Sequence, residues 1–146
     1  MEASRAWFLK LLDGLKEEQW DAKPYPNVMS IRETLAHMVT NDRVLPVMLK
    51  GEEPDYESFR PDAGLSHDDL LALLAETHKA KIDFLSQTYM DRDLNEEMQT
   101  VYSGKKPIWS EILGFVPEDW YHIGQMSLVR QGTDANWDYY AHFYSG

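Results

Sequence analysis

The chain has 146 residues, with 14 lysines and arginines against 25 aspartates and glutamates and a net charge of -11. Such a surface repels phosphate backbones and anionic lipid, no dense basic stripe offsets it, and nucleic acid is excluded as an expected partner. Its 43% of hydrophobic residues suffices for one domain over residues 1–146 with its own core. No apolar run nears the ~20 residues of a membrane span, so no membrane partner is expected. The opening MEASRAWFLKLLDG lacks a secretion-signal layout, which predicts a cytoplasmic protein. Cysteine is absent, which removes disulfides, thiolate ligands and a thiol nucleophile, so thiol chemistry would need an external thiol.

Helical periodicity predicts a first helix from about Ala3 to Gln19, with Phe8, Leu11, Leu12 and Leu15 on one face. Pro24 and Pro26 mark the following segment, Asp21 to Met29, as an extended connection. The second helix opens at Ser30, where Ser30 and Glu33 have the spacing of a reciprocal capping box. Its apolar stripe is Ile31, Leu35, Met38, Leu45 and Leu49, with Gly51 as the stop and Pro46 expected to kink or loosen the last turn.

Glu52 to Leu65 reads as a long crossover loop. A third helix begins near Ser66, where S-H-D-D is another capping candidate, with Leu71, Leu74, His78, Ile82, Leu85 and Tyr89 on one face. Asp91 to Lys106 is polar and turn-rich. A fourth helix is predicted from about Pro107 to Gln131, apolar nearly all round and therefore central in its bundle or shared with a partner subunit; Gly132 would end it. The aromatic tail, Thr133 to Gly146, is expected to pack. Short links elsewhere and the longest between helices two and three predict an all-α four-helix bundle with a long crossover connection.

Three side chains deserve weighing together. Glu118 and His122 lie one turn apart on the fourth predicted helix and share a face. His37, mid-way along the second, could add a ligand from across the bundle. Two imidazoles and a carboxylate, with positions left open for water, suit Zn, Fe(II), Ni or Mn. By spacing alone, E-x-x-x-H is more often a solvated or salt-bridged pair, and a lone His37 more often a satisfied half-buried histidine. His78 reads as a buried histidine bonded to a neighbour, with a supporting role at the metal as the alternative. His67 and His142 have no metal-like partner at close spacing. The five tryptophans read as core and dimer contacts.

The segment S-I-R-E-T-L-A-H-M-V, Ser30 to Val39, resembles the second helix of the DinB/YfiT-like superfamily. E-D-W-Y-H-I-G-Q-M-S-L-V-R-Q, Glu118 to Gln131, resembles its fourth. The link L-K-E-E-Q-W-D-A-K-P-Y-P-N-V-M-S, Leu15 to Ser30, is also similar to that family's, so the likeness covers most of the chain. It implies a helical bundle, frequent homodimers and a divalent metal held by three ligands. His37 falls on one ligand position and, with Gly124-Gln125 aligned, His122 on the last and Glu118 on the first, where histidine is usual.

The activities the resemblance implies are metal-dependent hydrolysis or thiol S-transfer on a small-molecule substrate, the thiol being an external low-molecular-weight one. Glu118 in place of histidine adds negative charge and lowers Lewis acidity. Pro117 before it can bend the helix, and Asp119 is then a rival oxygen ligand. Asn41, one turn after His37, could orient a ligand or water; Tyr121 and Gln125 could line the pocket, or serve core packing and a helix–helix hydrogen bond; Gly124 would permit close approach of a neighbouring helix. No residue qualifies as a general base. The alternative is a non-catalytic binding bundle that has lost or altered the metal site.

Overall fold

The computed structural model describes residues 1–144. It is all-α in class, with one short hairpin added. The chain divides into two compact units, Met1–Thr34 with Pro117 onward, and Leu35–Val116. Among the described residues no helix is long and apolar enough to cross a membrane.

In the first unit α1 covers Glu2–Lys10, shorter than its periodicity predicts. Leu12 and Leu15 keep the apolar spacing, but the backbone turns at Gly14, whose φ is 70°, and resumes as a 3₁₀ turn at Glu17–Gln19. The carbonyls left at the end of α1 are captured from afar. Arg130 Nη1 donates to Leu11 O at 2.6 Å and to Asp13 O at 2.8 Å, while its guanidinium lies 5.0 Å from the centre of the Trp137 ring. Arg130 stands on α6, Val116–Thr133, whose buried Ile123, Met126 and Val129 join Phe8, Leu11 and Trp20 in this unit's core.

The helix does not stop at Gly132 but runs on to Thr133. Gly132 matters for another reason: a Cβ there would meet Pro24 Cβ at 2.6 Å and Cγ at 2.7 Å. The proline-rich link crosses α6 where only glycine leaves room. The aromatic tail packs as expected, through α7, Tyr139–Tyr144. Phe143 stacks on Trp7 at 4.7 Å, Lys10 Nζ donates to Phe143 O at 3.2 Å, and His142 Nε2 donates to Lys10 O at 2.7 Å. The last two residues of the predicted tail, Ser145 and Gly146, lie outside the described residues.

The second unit takes in most of α2, Ile31–Met48. Its start is the expected capping box: Glu33 N donates to Ser30 Oγ at 3.2 Å and Ser30 N to Glu33 Oε2 at 3.0 Å. Its end is a Schellman motif, with Gly51 at φ 76°, Gly51 N donating to Met48 O and Glu52 N to Val47 O. Pro46 sits in the last turn, so the N–H it lacks would have bonded only Asp42 O. The crossover contains a single turn, α3 (Tyr56–Phe59), capped by Asp55.

Helix α4, His67–Tyr89, opens on the predicted Ser66 cap, which accepts from Asp69 N at 3.1 Å. It buries Leu70 and Leu74, and Tyr89 donates its hydroxyl to Leu49 O at 3.1 Å. A charged group is buried here too. Asp42 of α2, whose side chain is wholly buried, pairs with Lys81 of α4 and lies 3.8 Å from His78 Nδ1. His78 is only partly buried, its side chain 14% exposed, and Asp42 stands beside it at ion-pair and not hydrogen-bond distance, so the reading of a buried, bonded histidine is met only in part.

Two sequence expectations need correction in this region. The polar stretch before Pro107 is not all turns: β1 (Glu97–Thr100) and β2 (Gly104–Pro107) pair antiparallel, Gln99 opposite Lys105. Gly104, at φ 73°, closes the three-residue loop, and Thr100 Oγ1 donates to Gly104 O at 2.7 Å. The fourth predicted helix is two helices, α5 (Ile108–Gly114) and α6, separated at Phe115. Pro117 accordingly lies in the first turn of α6, where a missing N–H costs no intrahelical bond. The interruption lies just before the proline, on the side where its ring crowds the carbonyl four residues back and disfavours helical geometry at the preceding residue.

Candidate metal centre

The sites of the chemistry-bearing residues follow from these boundaries. His37 lies mid-way along α2 and is half-buried. Glu118 is in the first turn of α6, with its side chain 38% exposed, and His122, one turn on, is buried at 2% exposure. Each offers one ligand atom, and the three atoms lie within 4.8 Å of one another. This group could hold a metal ion.

The donor set fits a divalent ion. Bonds of ~2.1 Å to a common cation put neighbouring donors roughly 3.0–3.4 Å apart, in tetrahedral or octahedral geometry. His122 Nε2 and Glu118 Oε2 are 3.6 Å apart, so a few tenths of an ångström closes that pair. Two neutral imidazoles and one carboxylate cancel half of a dication's charge, and the half-exposed Glu118 leaves a solvent side to the group.

Each histidine is held by an amide one turn further along its own helix. Gln125 Oε1 lies 2.8 Å from His122 Nδ1, and Gln125 Nε2 donates to the Tyr121 hydroxyl at 2.9 Å. Asn41 Nδ2 lies 3.0 Å from His37 Nε2. Asn41 donates to an unprotonated Nε2 or, with its amide turned over, accepts from Nε2–H, according to the ring's tautomer. Asn41 thus touches His37, and Gln125 bonds a histidine of its own helix instead of a neighbouring helix. The spacing of Gln125 from His122 is the signal that finds this second contact in sequence.

Asp119 is engaged elsewhere. It is 3% exposed, accepts from Ser4 Oγ at 2.6 Å, and pairs with Arg5 Nη2 at 3.1 Å. Both partners come from α1, and nothing in the local pattern around Asp119 reveals them. Gly124 has open space where a Cβ would stand, so the close helix approach expected there is not found among the described residues. Nor is the fourth predicted helix covered all round: Trp109, Leu113, Trp120 and Leu128 are each roughly half exposed.

No curated protein matches the chain. The model of one family does match, over residues 1–126, a span that takes in all three metal-competent side chains. The chain belongs to the DinB superfamily.

Proposed function

We propose that this protein is a metal-dependent enzyme acting on a small molecule, by hydrolysis or by transfer of an external low-molecular-weight thiol, with His37, Glu118 and His122 as the metal ligands. The observation that carries the reading is the convergence of two imidazoles and a carboxylate within 4.8 Å. A divalent Zn, Ni, Fe or Mn ion held there supplies Lewis acidity, lowering the pKa of a water or thiol brought to it. The chain's own part is to bind and orient: Gln125 and Asn41 aim the two rings, and Glu118 contributes an anion beside solvent. Because the sequence contains no cysteine, a transferred sulfur must come from a separate molecule.

Elemental analysis of protein purified without added metal tests this reading. About one equivalent of a transition metal is expected, falling below about a tenth in His37→Ala and His122→Ala while the helical circular dichroism is retained. Wild-type protein with under a tenth of an equivalent, and no rise in melting temperature on adding Zn, Ni or Mn, overturns it.

The carboxylate of Glu118 favours a second reading. Where the resemblance leads one to expect a third imidazole, an anion weakens the cation's Lewis acidity, as suits a bundle that binds a partner without catalysis. In that case both alanine variants keep wild-type stability and partner binding.

A further inference from the structure

We propose that the Asp13–Gly14 peptide is a site of self-modification, independent of any metal, at which the buried Arg130 promotes closure of Asp13 to a succinimide and its opening to isoaspartate. The three residues meet where α1 gives way to the 3₁₀ turn. Asp13 is exposed, and its carboxylate accepts no hydrogen bond among the described residues. Gly14 follows it at φ 70°, with nothing within 4 Å of where a Cβ would stand, so no side chain shields its nitrogen. The neighbouring amides are engaged: Leu12 N donates to Leu9 O at 2.9 Å, Asp13 N to Lys10 O at 3.1 Å and Leu15 N to Leu12 O at 3.1 Å. The Gly14 N–H alone in this run donates to no acceptor among the described residues. No other Asp-Gly pair, and no Asn-Gly pair, occurs in the chain.

An amide nitrogen is a poor nucleophile because its lone pair is shared with the carbonyl, and it attacks only as its proton leaves. The charge that then develops falls on the carbonyl oxygen of the same peptide, here Asp13 O. Arg130 Nη1 donates to that oxygen at 2.8 Å from a residue only 4% exposed, and a charged donor in a water-poor place stabilises the developing anion. Gly14 N bonds to Asp13 Cγ, and the side-chain hydroxyl departs with a proton as water. Water then returns to one of the two carbonyls of the imide. Addition at Cγ restores aspartate. Addition at the backbone carbon, whose oxygen Arg130 holds, breaks the bond from that carbon to Gly14 N and frees an α-carboxylate. The chain then runs through Cγ as isoaspartate, with its composition unchanged. The new carboxylate forms against a guanidinium whose acceptors among the described residues are neutral carbonyls and whose Nε has none. A counter-charge for a buried cation favours the modified form.

The test incubates the full-length protein in slightly acidic buffer, because water leaves from a carboxylic acid and not from a carboxylate, with a parallel sample unfolded in urea. Peptide mass spectrometry distinguishes isoaspartate from aspartate at residue 13, and heavy-oxygen water marks each passage through the imide. In the unfolded chain Arg130 is not held against Asp13. The native protein is therefore expected to convert faster, by about tenfold or more on the scale of one oriented donor. Arg130→Met, where circular dichroism shows it folded, is expected to lose that excess, and Asp13→Glu, which would need a larger ring, to form no isomer there. Native protein that converts no faster than the urea-unfolded chain overturns the proposal, whether or not Arg130→Met folds. Folded Arg130→Met that converts as fast as the wild type overturns it as well.

Discussion

Replacing Asp119 by alanine removes a carboxylate from a place that water does not reach. Asp119 and Arg5 are each 3% exposed and pair at 3.1 Å, and breaking a buried ion pair by deleting one partner costs about 3–5 kcal/mol. Two contacts moderate the loss: Ser4 Oγ still reaches Met1 O at 2.8 Å, and the Arg5 guanidinium lies 5.6 Å from the Phe8 ring centre. The lower end, about 3 kcal/mol, is therefore expected. At about 2–4 °C per kcal/mol for a chain of this size, melting falls by on the order of 10 °C. Urea unfolding followed by tryptophan fluorescence should show a lower midpoint with an unchanged slope. Zinc affinity, measured where the variant remains folded, should stay within about twofold. Glu118→Gln should do the reverse, weakening zinc binding while changing stability by less than about 0.5 kcal/mol, since its side chain is 38% exposed. A stability loss under about 1 kcal/mol in Asp119→Ala, or a tenfold loss of zinc affinity there with stability intact, would refute the division of labour between these adjacent carboxylates.

Other consequences follow from the packing. Lys81→Met leaves the wholly buried Asp42 carboxylate without its ammonium partner and should cost about 3–5 kcal/mol in chemical unfolding; restoring stability by adding Asp42→Asn would identify the stranded charge as the cause. Gly132→Ala forces a methyl into Pro24, a rigid ring that cannot swing aside, and should cost about 1–3 kcal/mol in a thermal melt. Glu33 is held below the ordinary carboxylate pKa, chiefly by its hydrogen bond from Lys23 and also by the Ser30 N–H. A depressed folded-state pKa gives stability that is full above the unfolded value and fades as pH falls through the folded one. Glu33→Gln should accordingly flatten part of the acid limb of a stability–pH curve and leave the neutral-to-alkaline limb unchanged.

The helix starts were the most legible features, because capping is local chemistry. Ser30 with Glu33, Ser66 with Asp69, and Gly51 after α2 each carry their partners within a few residues. The ligand candidates were legible for a similar reason, since His122 and Glu118 lie one turn apart on a single helix. What escaped the periodicity depends on tertiary partners. Leu12 and Leu15 continue the apolar spacing of α1 through a turn that Gly14 and distant Arg130 decide. The separation of α5 from α6 at Phe115 is signalled in sequence only by Pro117, because apolar residues recur on both sides of it. The hairpin strands, EMQT and GKKP, are mostly exposed and lack the alternation by which strands are recognised. The attachment of Asp119 to Ser4 and Arg5 spans most of the chain and leaves no local trace.

The interruption at Phe115 has an electrostatic consequence for the two carboxylates that follow it. By restarting the helix at Val116, it moves Glu118 and Asp119 from the interior of one long helix to the N-terminal turn of another. There the aligned peptide dipoles present a partial positive charge, worth about 0.3–1 kcal/mol to a nearby anion. Two neighbouring carboxylates are tolerated at this turn because the end of the helix draws on both, while Arg5 neutralises one. A glutamate at this position thus arrives with part of its charge already compensated by the backbone, and a single break in a helix makes its placement beside Asp119 electrostatically cheap.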